Sequence, residues 1–90
     1  MATVVVPALL RNYTGGAERV EVQGRTLREV IDGLERLFPG IGDHLMDADG
    51  ELKGSVVASI DGDIGSSGIQ APVSEKSEIY FLPALGGGST

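Results

Sequence analysis

The chain has 90 residues, 41% of them hydrophobic and 22% charged, which supports one small core and is too apolar for a disordered segment. With no cysteine there is no disulfide, thiolate metal site or cysteine nucleophile, and with 4% aromatics and no tryptophan the stacking platforms of a single-strand nucleic-acid binder are missing. A net charge of −6 would be repelled by a phosphate backbone, so no nucleic-acid partner is expected.

The charge is unevenly placed. Residues 1–40 balance Glu18, Glu21, Glu29, Asp32 and Glu35 against Arg11, Arg19, Arg25, Arg28 and Arg36, whereas residues 41–90 set eight acids against Lys53 and Lys76. A partner of the C-terminal half is therefore expected to be basic, although solubility alone also accounts for an acidic small domain. Met1–Val4 carries no basic leader and no apolar run approaches ~18 residues, so neither a signal peptide nor a membrane span is expected, and the location is read as cytoplasmic.

Thr3–Val6 is a β-branched run closed by Pro7 and predicts a first strand. Asn12-Tyr13-Thr14-Gly15-Gly16 supplies turn residues, and Glu18–Val22 alternates polar with apolar, predicting a hairpin with a long loop. From Thr26 to Phe38, Leu27, Val30, Ile31, Leu34, Leu37 and Phe38 repeat at helical spacing, with Arg28, Glu29, Asp32, Glu35 and Arg36 on the other face. Thr26 and Glu29 have the spacing of a capping box, and Pro39-Gly40 ends the helix. Ile41–Met46 suits a short helical turn, Asp47–Gly50 a turn, and Ser55–Ile60 a third strand. Gly62, Gly65, Gly68 and Pro72 favour irregular pieces, with at most a brief strand near Asp63-Ile64. Glu78–Leu82 is the last strand, stopped by Pro83.

This order predicts an α+β fold in which one mixed sheet packs on one main helix. Its core is expected from Val4, Val6, Val20, Val22, Leu27, Val30, Ile31, Leu34, Ile79 and Phe81. The domain is placed at residues 1–85, and Gly86–Thr90 is read as a flexible C-terminal tail.

Few side chains carry chemistry. His44 is the one histidine, and no Gly-x-Ser-x-Gly elbow accompanies it, so it is expected as a partly exposed residue of the short second helix. Asp47-Ala48-Asp49-Gly50-Glu51 opens like a calcium loop but has Leu52 at the sixth position and no glutamate at the twelfth; no metal is expected. Gly86-Gly87-Gly88 precedes neither a Lys-Ser nor a helix, which excludes a phosphate loop. On a strand-anchored tail, glycines pass through tunnels too narrow for a Cβ and leave a terminal carboxylate unhindered.

Leu82-Pro83-Ala84-Leu85-Gly86-Gly87-Gly88, with the predicted topology, resembles the ubiquitin-like β-grasp sulfur carriers, the family of the thiamine sulfur carrier and the molybdopterin-synthase small subunit. Val6–Arg11 with Thr14-Gly15-Gly16 resembles the first hairpin of the family's cysteine-biosynthesis branch, and Pro39-Gly40-Ile41 with Leu45-Met46-Asp47 its post-helix segment. Glu75-Lys76-Ser77 stands where an Asp-Gly-Asp turn is common, and Ser89-Thr90 extend past the diglycine.

The resemblance implies a carrier rather than an enzyme, with no bound cofactor. Gly88 would be the adenylylation and thiocarboxylate site once Ser89-Thr90 are removed by cleavage between Gly88 and Ser89. Leu85, Gly86 and Gly87 would be the tail segment partners recognise, with Tyr80 and Leu82 as a further partner surface on the sheet face away from the helix. The implied partners are an E1-like adenylyltransferase/sulfurtransferase using ATP, a PLP-dependent cysteine-synthase-like acceptor and a JAMM-type metalloprotease. Two other readings are a molybdopterin-synthase small subunit, disfavoured by Ala84 where a second proline is usual, and a ubiquitin-like protein modifier.

Overall fold

The computed structural model describes residues 1–64 and 68–83. A four-stranded sheet is built from β1 (Ala2–Val5), β2 (Arg19–Val22), β3 (Val56–Ile60) and β4 (Glu78–Pro83), in the order β2-β1-β4-β3. β1 and β4 run parallel at the centre, and the two outer pairs are antiparallel, so the sheet is mixed as expected. Helix α1 (Leu27–Leu37) covers one face, and α2 (Gly42–Leu45) packs beside it.

Alternation along the strands decides the two faces. Ala2, Val4, Val6, Val22, Ile79 and Phe81 turn inward and meet Leu27, Val30, Ile31 and Leu34 of α1. Nine of the ten expected core residues are buried; the exception is Val20, partly exposed at the sheet edge. Leu10, Ile41, Leu45, Ile69 and Val73, all from loops and short helices, join them among the buried apolar residues. Leu37 departs from expectation: it is 56% exposed, because it lies in the last turn of α1 where Ile41 and Leu45 already complete the core.

The helix starts as its sequence requires, with one adjustment. Thr26 Oγ1 accepts from the Glu29 N–H at 3.3 Å, but the Glu29 carboxylate accepts from the Arg25 N–H at 2.9 Å, one residue earlier than a standard capping box. At the other end the Glu35 carboxylate accepts from Gly40 N–H at 2.9 Å and Gly42 N–H at 2.8 Å, tying α1 to the start of α2. Those two bonds hold its pKa below the ordinary carboxylate value. Gly40 has φ +101°, and a Cβ there would stand 3.1 Å from the Tyr13 ring, so the turn after Pro39 needs glycine.

Three local expectations change. Ala8–Leu10 forms a 3-10 turn after Pro7, which the hairpin reading omitted. Asp63 makes one isolated bridge with Ile60 instead of a strand with Ile64, since the tight Asp61-Gly62 turn leaves room for a single reciprocal pair. Pro83 is the last residue of β4, opposite Val56, rather than the first beyond it; a strand end does not require its missing N–H.

Candidate functional site at the end of the central strand

The last described residue, Pro83, ends the central strand β4. β4 pairs in parallel with β1 from Glu78 to Tyr80 and in antiparallel with β3 from Ile79 to Pro83, so it is a central strand of the sheet whose last residues are held by β3. Leu85, Gly86, Gly87, Gly88 and Ser89 lie outside the described residues, as does the expected boundary between domain and tail.

Tyr80 and Leu82 fall on the face opposite α1, as their alternation with buried Ile79 and Phe81 requires. Tyr80 stands between Val5 and Ser59, half-buried, and Leu82 stands opposite Val57, 41% exposed. Around the corner from Leu82 opens an apolar groove that also takes in Pro7, Leu9, His44, Val56 and Phe81. Leu9 is 86% exposed at its rim, a position that costs hydration without contributing to the core. The groove was not read from the sequence. Its signal is the adjacent pair Leu9-Leu10, of which one is buried and the other displayed.

His44 lies on the exposed side of α2, and its Nε2 is 2.6 Å from the Tyr13 hydroxyl, with ring centroids 5.0 Å apart. The pair links the long β1–β2 connection to α2 beside the groove. It has the character of a clasp: no serine and carboxylate complete a triad around it among the described hydrogen bonds.

The sheet face beside the end of β4 is apolar rather than acidic. On the outward face Leu82 and Val57 neighbour the end of β4, while Glu78 lies at its other end, ~13 Å back along the strand, and is paired with Arg19 at 3.4 Å. Several acids of the C-terminal half accept from loop amides. Asp47 accepts from Asp49 and Glu51, and Asp61 from the Ser77 hydroxyl and the Glu78 N–H, each near 3 Å. Asp61 has φ 54°, a left-handed conformation that aspartate tolerates better than most residues. Ser77, 2% exposed, closes the Ser74–Ser77 turn formed by the Glu75-Lys76-Ser77 segment. Among the described residues no three His, Asp or Glu side chains gather as metal ligands, and no helix is long and apolar enough to cross a membrane.

A four-stranded mixed sheet with one main helix, a central last strand and a glycine-rich ending defines the ubiquitin-like β-grasp class. The chain belongs to the ThiS family, whose sequence pattern matches residues 4–88. It is similar to the sulfur carrier protein CysO of Mycobacterium tuberculosis and of Mycobacterium bovis, at 37% identity over 96% of this chain and 97% of each relative. The CysO of the Amycolatopsis orientalis BexX/CysO complex superposes with a TM-score of 0.89 at 32% identity, covering 98% of this chain and 100% of that one. The small archaeal modifier protein 1 of Methanosarcina acetivorans shares the fold, with a TM-score of 0.79 at 23% identity over 97% and 95% of the two chains.

Proposed function

We propose that this protein is a sulfur carrier of the CysO type, a substrate and shuttle whose reactive group is the Gly88 carboxylate. The observation that carries the reading is that the family match runs through residue 88, across a glycine-rich segment whose root is the central strand β4. An anchored root delivers the tail in a defined direction. From Pro83 to Gly88, five residues reach at most ~17–18 Å, enough to enter a deep partner cleft while the domain stays outside.

In this mechanism an E1-like partner uses ATP: the Gly88 carboxylate attacks the α-phosphorus, pyrophosphate leaves, and an acyl adenylate forms. A hydrosulfide equivalent then attacks the acyl carbon and expels AMP, leaving the thiocarboxylate. The loaded tail delivers sulfur to a PLP-dependent acceptor enzyme that makes cysteine or a related metabolite. Leu85, Gly86 and Gly87 are the residues the partner clefts grip, and Leu82, Leu9 and Tyr80 form the surface on which a partner rests. The domain itself provides no acid or base for these steps.

In the sequence Gly88 is joined to Ser89, and an amide carbonyl cannot be adenylylated as a carboxylate can. Cleavage after Gly88, a task suited to a JAMM-type metalloprotease, therefore precedes loading. The test offers activating enzyme, ATP and sulfide to chains ending at Gly88 and at Thr90. Mass spectrometry should find sulfur in place of oxygen only on the shorter chain. Equal loading of both would overturn the assignment of Gly88, and lysine adducts of other proteins without any thiocarboxylate would favour a protein modifier.

A further inference from the structure

The two edges of the sheet are finished differently. Asp61 N–H donates to Glu78 O at 2.9 Å, so Asp61, Ser59 and Val57 direct their backbone groups to β4 while Ile60, Ala58 and Val56 face outward. Local turns occupy much of that outer edge: Val56 N–H donates to Lys53 O, and Ile60 and Asp63 exchange both bonds. Ala58 is left between them.

Among the described residues β2 has no such cover. Val6 N–H donates to Glu18 O at 2.8 Å and Thr3 N–H to Ser77 O at 2.9 Å, so β1 sends Ala2, Val4 and Val6 toward β2 and Thr3 and Val5 toward β4. Glu18, Val20 and Val22 thus face β1, and the N–H and C=O of Arg19 and Glu21 point off the sheet. Among the described residues these four groups have no backbone partner. Val20, at the middle of this edge, is also the one expected core residue that the fold leaves partly uncovered.

We propose that the β2 edge is a self-association surface whose occupant is the β2 strand of a second copy, running antiparallel with Val20 opposite the partner's Val20. The register follows from phase and charge. Antiparallel hydrogen-bonded pairs form only between residues whose backbone groups point outward, which leaves Arg19 and Glu21. Pairing either with itself sets like charges face to face, which is destabilising. Pairing Arg19 with the partner's Glu21 gives an opposite-charge pair, and two-fold symmetry repeats it on the other side.

Charged edge residues ordinarily discourage pairing, but this Arg-Val-Glu order is self-complementary in one register. In that register Val20 and the partner's Val20 form the close, non-hydrogen-bonded pair, with Cα atoms ~4.5 Å apart, and cover each other. The Arg19–Glu78 contact, with both side chains about half exposed, is a weak competitor. The product is a continuous eight-stranded sheet with both helices on one face. Because β4 is antiparallel to β2, the two β4 ends leave in opposite directions.

Sedimentation velocity of the full chain from micromolar to millimolar concentration tests this, at low and high salt. A concentration-dependent dimer, weakened by salt, is expected. Arg19→Glu and Glu21→Arg should each weaken association about tenfold, because each converts two attractive pairs into repulsive ones. The double reversal Arg19→Glu/Glu21→Arg should restore it, which loss of the Glu78 contact cannot explain. A monomer at every concentration, unchanged association in the single variants, or no recovery in the double variant would overturn the proposal. So would a monomer whose Arg19 and Glu21 variants lose binding to another protein, since the edge would then serve a foreign strand.

Discussion

The two faces of the sheet divide the labour of this protein. Toward α1, Val4, Ile79 and Phe81 meet Val30, Ile31 and Leu34 in a core where side chains are almost wholly removed from water. Away from α1, Val5, Val57, Tyr80 and Leu82 make a mixed apolar and polar surface that covers little and remains available. One strand, β4, contributes to both by alternation. A residue's place in that alternation, more than its hydrophobicity, decides whether it stabilises the fold or displays a surface: Ile79 and Leu82 of β4 are both large and aliphatic, yet one is 0% and the other 41% exposed.

The largest expected effect sharpens that division. Ile31→Ala should cost ~2–5 kcal/mol of unfolding free energy in a denaturant titration, a large fraction of what so small a domain has. Leu82→Ser should stay within about 0.5 kcal/mol in the same titration. Comparable losses from both would erase the distinction between the faces.

An intermediate effect is expected where a loop carboxylate, rather than a face, holds the sheet together. Asp61→Ala leaves the buried Ser77 hydroxyl and the Glu78 N–H without their acceptor, and should cost ~1–3 kcal/mol. Asp61→Asn, which keeps one acceptor oxygen, should recover part of the loss by thermal unfolding.

Leu9→Asp should leave the unfolding transition within about 0.5 kcal/mol of the parent while slowing adenylylation of a chain ending at Gly88, because it charges the groove rim without touching the core. Gly87→Ala should likewise impair adenylylation with the thermal transition almost unchanged. If both variants are adenylylated at the parental rate, the outward face and tail are not the surface the activating enzyme reads.

The smallest effect concerns Glu35. Its folded-state pKa is depressed by the Gly40 and Gly42 amides, so its contribution is fully present above the ordinary glutamate value, about 4.3. That contribution is lost as pH falls from there through the lower folded-state value. Glu35→Gln should flatten the acid limb of a stability–pH curve over that window and leave its shape at neutral pH unchanged.

Much of the fold is legible in the amino-acid sequence. Helical spacing from Leu27 to Leu34 and alternation in Glu78–Leu82 determined α1, β4 and which side of each is buried, because a period of 3.6 or 2 is a local property of the chain. The role proposed for the glycine-rich ending rests on the resemblance and on composition: glycine, with no Cβ, suits a segment that must enter a narrow cleft. Tertiary structure decided the rest. Leu9 and Leu10 are indistinguishable in sequence, and only the 3-10 turn after Pro7 buries one and displays the other. The acids of the C-terminal half read as a surface charge, and Asp47 and Asp61 are indeed exposed, but only the fold brings the Asp61 carboxylate to the Glu78 amide, 17 residues away in the chain. Nothing in Arg19-Val20-Glu21 marks it as an edge. That followed from β4 pairing with β1 and β3, which leaves β2 on the outside with its outward backbone groups unpaired among the described residues. Long-range pairing is set by the summed burial of both partners, a quantity no single segment contains.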